Sequence, residues 1–60
     1  MLPKDPIILL SYINTKLRDE YNSLEDLCKS MNINRQELEA ALATIDYTYT
    51  METNRFSPIS

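Results

Sequence analysis

Not one of the sixty residues is glycine. Tight turns and helix exits must be made without the residue best suited to a left-handed backbone. Asn22 and Asn32 are the expected substitutes, since asparagine tolerates that conformation. The same absence removes the P-loop and the dinucleotide-binding fingerprint, which need glycine for close backbone approach to phosphate. Length narrows the choice further. A domain this short buries only about 60% of the surface its unfolded chain exposes. Such domains usually lean on disulfides, metals or partner chains. Cys28 is the single cysteine and there is no histidine. That excludes an internal disulfide and leaves no zinc cluster. Ser-His and Cys-His nucleophile pairs are equally absent. What remains is tight helix packing or self-association, without a cofactor, a small-molecule substrate or enzymatic chemistry.

Nine acidic residues against six basic ones give a net charge of −3. General polyanion binders carry clustered lysine and arginine, so this balance disfavours DNA without excluding a local contact. The longest uninterrupted apolar run, Ile7 to Leu10, is too short to span a bilayer. No long apolar stretch follows Met1–Pro6 to make a signal peptide. A lone cysteine fits a reducing compartment, so the expected location is the cytoplasm.

Asp5-Pro6 starts a helix, with Asp as N-cap and Pro at the first helical position. Ile7, Leu10, Ile13, Leu17 and Tyr21 recur at spacings of three and four, which predicts a helix over about 6–21 with that stripe inward. Asn14 lies on the border of the stripe, Ile8 and Tyr12 form a second one, and Leu9 widens the apolar surface. Ser23 caps a second helix, 24–31, with Leu24, Leu27, Cys28 and Met31 inward. Asn34 caps a third, about 35–45, with Glu37 completing a capping box. Its inward residues are Leu38, Ala41, Leu42 and Ile45. Tyr47-Thr48-Tyr49-Thr50 alternates with period two, 51–54 can turn, and Arg55-Phe56 can return. A hairpin over about 47–57 follows, with Tyr47, Tyr49 and Phe56 on its covered face. Pro58 limits strand pairing in the tail. The fold class is mainly α: one domain of three helices with a short C-terminal β-hairpin.

Residues 24–43 resemble the helix-turn-helix motif. Leu24, Leu27, Met31, Ile33, Leu38 and Ala41 fill its apolar offsets. Cys28 fills the slot where a large side chain would push two helices apart, and Asn32 stands in for the turn glycine. The hairpin resembles the wing of winged-helix domains. Were DNA the partner, the third helix would enter the major groove N-terminus first. Asn34, Arg35, Gln36 and Glu39 would face it, with Arg55 on the wing. Arginine reads guanine, and asparagine or glutamine reads adenine. Cations for phosphate are scarce around that set.

Most other polar residues have ordinary explanations. Buried packing explains Cys28 better than redox chemistry. Lys16, Arg18, Asp19 and Glu20 make a solvated helix face. Four tyrosines fit core edges with their hydroxyls in water. Glu25 and Asp26 stabilise the positive end of a helix.

A second resemblance covers nearly the whole chain. It rests on Leu2-Pro3-Lys4-Asp5-Pro6, Leu9-Leu10-Ser11, Asn14 to Tyr21, Ser23 to Cys28 and Ile45-Asp46-Tyr47. These segments resemble domain of unknown function family 4250, short bacterial proteins mostly of the Firmicutes type. The resemblance implies a free-standing small protein and transfers no catalytic or binding residue.

The expected function is therefore binding. Helix one carries more apolar surface than its own core needs. Ile8, Leu9 and Tyr12 are expected on an exposed patch for a homodimer or a protein partner. The DNA-binding regulator, using Asn34, Arg35, Gln36, Glu39 and Arg55, is the alternative.

Overall fold

The structure, a computed structural model, describes residues 2–59. Asp5 opens α1 (Pro6–Asp19) as expected: its carboxylate accepts the N–H groups of Ile7 at 2.8 Å and Ile8 at 3.4 Å. The helix stops at Asp19, two residues before the predicted Tyr21, and Glu20 occupies the C-cap in place of Asn22. The cause is local. Glu20 and Tyr21 both donate to the carbonyl of Lys16, at 2.8 and 3.1 Å. The Leu17 carbonyl is thereby left without a helical donor, and it accepts instead from the side chain of Asn54 at 3.1 Å.

The inward line of α1 is Leu9, Ile13 and Leu17, not the line through Ile7. Asn14 sets this rotation. Its Oδ1 accepts the Phe56 N–H at 2.8 Å, and its Nδ2 donates to the Phe56 carbonyl at 3.1 Å. With Asn14 held there, Leu9, Ile13 and Leu17 turn inward. Ile7 shares the side of Asn14 two turns earlier and stays at the rim, 61% exposed. Leu10 and Tyr12 flank the core half-buried, as on a wide apolar arc centred near Ile13.

Ser23 caps α2 (Leu24–Met31), its hydroxyl accepting the Asp26 N–H at 3.1 Å. The helix leaves through Asn32 at φ 55°, the left-handed place expected for it. Asn34 caps α3 (Arg35–Ala43) by accepting the Glu37 N–H at 3.1 Å. Among the described residues the Glu37 carboxylate does not return a bond to Asn34, so the box is half made. The end of α3 falls at Ala43, short of the predicted Ile45. The Ile45 and Asp46 N–H groups bond three residues back, to Leu42 and Ala43. That tightened exit, with Asp46 at φ 62°, reverses the chain into the hairpin.

The hairpin comprises β1 (Tyr47–Thr50) and β2 (Arg55–Pro58), antiparallel, with Tyr49 opposite Phe56 and Thr48 opposite Ser57. It runs through Pro58, one residue past the predicted limit. Proline fits because position 58 faces Tyr47 at a site whose N–H would point away from the ladder. The covered face is the predicted one: Phe56 is fully buried, with Tyr47 and Tyr49 packed beside the core.

Three helices and a hairpin thus share one core of Leu9, Ile13, Leu17, Leu24, Leu27, Cys28, Leu38, Leu42 and Phe56. Ala41, Ile45 and Met31 line it half-buried. Burial pushes the Cys28 thiol above its ordinary pKa, so it is a poor nucleophile as well as a covered one. Cys28→Leu is expected to overpack the α2–α3 contact and lose about 1–3 kcal/mol, with Cys28→Ala milder. Urea denaturation measures both, and native-state labelling of Cys28 by a thiol reagent should be slow. Rapid labelling would refute the packing.

Candidate functional site

Two surface features border the core. The larger is an open groove of about 740 Å³ between α1 and the far end of the hairpin. Ile7, Leu10 and Leu17 supply apolar surface; Asn14 and Asn54 sit in its wall; Arg18 and Arg55 stand on its rim. Beside the groove, the Asn14 side chain bonds α1 to the backbone of Phe56 on β2. Asn54 secures the groove's other end, donating to the Leu17 and Tyr21 carbonyls at 3.1 and 2.9 Å. Arg18 is already engaged: it makes two hydrogen bonds to Asp19, at 2.9 and 3.1 Å, and these hold the Asp19 carboxyl below its ordinary pKa. Among the described residues Arg55 has no ion-pair partner.

The expected patch of Ile8, Leu9 and Tyr12 does not hold together. Ile8 is 57% exposed, as expected. Leu9 is 5% exposed and belongs to the core, because the Asn14 clamp turns it inward. Tyr12 is half-buried, with the Lys16 ammonium 5.6 Å from its ring centre. The exposed apolar pair on α1 is therefore Ile7 and Ile8. Ile7 was missed because its spacing fits a core stripe, and only the long-range bond of Asn14 breaks the tie.

The DNA-facing set is divided. Asn34, Arg35 and Gln36 are exposed at the start of α3, and Glu39 is half-buried. Asn34 spends its Oδ1 on the cap. Arg35 Nε lies 3.6 Å from Glu39 Oε1, and its guanidinium lies over the Tyr49 ring at 5.9 Å. Arg55 instead lines the α1 groove, while Arg35 borders a shallow depression with Glu25, Cys28 and Asn32. The hairpin packs on α1 through β2 and on α3 through β1, so Arg55 of β2 and Arg35 of α3 lie in different surface features.

Sequence reasoning also missed Asn54. Its signal was slight: a turn asparagine just before the returning strand. Among the described residues no group of histidine, cysteine and carboxylates could hold a metal ion, and no helix is long and apolar enough to cross a membrane.

No curated protein and no solved structure gives a significant match to the chain. A family model does match, over residues 3–56, from just before the Asp5 cap of α1 to Phe56, the second residue of β2. The chain belongs to that family, described as a domain of unknown function, DUF4250.

Proposed function

We propose that the chain is a non-enzymatic binding module that docks a protein partner on the outer side of α1. The observation that carries this reading is the exposure of Ile7 and Ile8, consecutive residues of the first turn, at 61% and 57%. Ile7 continues into the groove past Leu10, so apolar surface extends from the helix rim inward. Contiguous exposed apolar surface on a small protein marks an interaction site more often than chance. Arg18 and Arg55 supply the polar rim that interfaces commonly carry around such a centre.

Photo-crosslinking tests it. A photoreactive residue at position 8, introduced in the native cells, should capture a discrete protein, and Ile7→Glu should abolish the capture. Both side chains are exposed, so the fold should survive, as far-UV circular dichroism would verify. Equal capture from position 29 on α2 would overturn the reading. A DNA-binding regulator draws on the exposed Asn34, Arg35 and Gln36, but Glu37 and Glu39 share their helix and Arg35 is occupied by Glu39. Binding to a random duplex pool at low salt, the most permissive condition, would favour it.

A further inference from the structure

The two edges of the sheet are treated differently. On β2, the outward N–H and C=O of Phe56 are both taken by Asn14, and Pro58 has no N–H to offer. On β1, the register places Tyr49 opposite Phe56 and Tyr47 opposite Pro58. Residues facing each other in an antiparallel ladder direct their backbone groups alike, both inward or both outward. Phe56 points outward, so Tyr49 does too, and Tyr47 repeats it two residues earlier. Among the described residues no hydrogen bond reaches the backbone N–H or C=O of Tyr47 or Tyr49. Backbone groups with no partner inside the fold need one outside it, in water or on another strand.

We propose that β1 pairs with β1 of a second copy about a two-fold axis at Thr48, giving a four-stranded antiparallel sheet. Tyr47 of each copy then lies opposite Tyr49 of the other, and each such pair exchanges both N–H···O bonds. The outward groups of Tyr47 and Tyr49 are spaced for that register. Thr48 meets Thr48, an uncharged β-branched contact suited to a cross-strand pair. Charge selects this strip. A two-fold contact sets one patch against the same patch, so acids within it would face each other across the axis, and a chain of net charge −3 meets itself best where acids are absent. Tyr47–Met51 is uncharged, and in this register Asp46 comes opposite Thr50 and Glu52 opposite Thr44. The strand also lacks the lysine, proline or bulge with which edges are usually protected. Pairing over so short a strand buries far less than the roughly 1,000 Å² of a stable interface, so the dimer is weak and reversible. Its Ile7–Ile8 faces remain open on both copies, and the pairing stands whether or not a partner docks there.

Sedimentation of the unmodified chain is the first test. The dimer fraction should rise with concentration and also with salt, which screens the repulsion between the two copies. Thr48→Lys should return it to monomer. Cysteine placed at position 48 in a Cys28→Ala background gives a second readout. A non-hydrogen-bonded pair brings the two Cβ atoms close to disulfide range, so T48C should oxidise to a covalent dimer about tenfold faster than T50C. A monomer at millimolar concentration would overturn the proposal. So would a dimer that survives Thr48→Lys, one that Ile8→Glu dissolves, or equal cross-linking from positions 48 and 50.

Discussion

Phe56→Ala is expected to leave the chain largely unfolded at 25 °C. Phe56 is fully buried and is the largest side chain in the core. Its ring meets that of Tyr49 at 5.7 Å between centres, tilted by 57°, so the loss includes an aromatic contact. Truncating a buried phenylalanine costs about 3–5 kcal/mol, because the cavity left behind collapses only in part. A domain of this length holds about 3–9 kcal/mol in total. The core offers few other large side chains to fill the space. Phe56→Leu keeps most of the volume and should cost less than about 1.5 kcal/mol if the neighbours repack. Far-UV circular dichroism and urea denaturation distinguish these outcomes. An alanine variant with a cooperative transition within about 1 kcal/mol of the parent would mean that the helices fold without the hairpin.

The starts of the helices were legible in the sequence, and so was the end of α2 at Asn32; the ends of α1 and α3 were not. A helix start is local chemistry: Asp5, Ser23 and Asn34 each accept an N–H two or three residues on. The end of α1 depends on Asn54, 37 residues away from the carbonyl it satisfies. The face of α1 was ambiguous in the same way. Ile7-Leu10-Leu17 and Leu9-Ile13-Leu17 are both good helical stripes, and the choice lies with the bond from Asn14 to Phe56, 42 residues apart. That bond is why Leu9 left the candidate patch and Ile7 joined it. Cys28 was placed correctly because its slot is set by helix-turn-helix spacing, which is short-range. Arg55 was grouped with α3 on the assumption of a projecting wing, whereas β2 packs against α1 and carries Arg55 to the groove.

Asn54→Ala is expected to be the most damaging change at a partly exposed position. Asn54 has φ 52°, where any side chain beyond glycine, asparagine or aspartate is strained. Its amide donates to the Leu17 and Tyr21 carbonyls, and its Oδ1 accepts the Tyr49 hydroxyl at 2.6 Å. That hydroxyl in turn accepts the Leu24 N–H at 3.2 Å. One side chain therefore joins the end of α1, the start of α2 and the hairpin, and among the described residues no buried side-chain polar atom lacks a partner. Alanine removes the three hydrogen bonds and adds backbone strain. Glycine removes the same bonds while accepting the backbone angle, so Asn54→Gly should recover about 1–2 kcal/mol of the alanine loss. The remaining deficit measures the amide, at about 1–3 kcal/mol for part-buried groups left without partners. Tyr49→Phe deletes the next link and strands the Leu24 N–H. Because Tyr49 and Asn54 act through one network, the double variant Tyr49→Phe/Asn54→Gly should cost less than the sum of its parts by about 0.5–3 kcal/mol. Urea denaturation of the three single variants and the double gives every term. Equal stability of the glycine and alanine variants would refute the backbone argument, and strict additivity with Tyr49→Phe would refute the network.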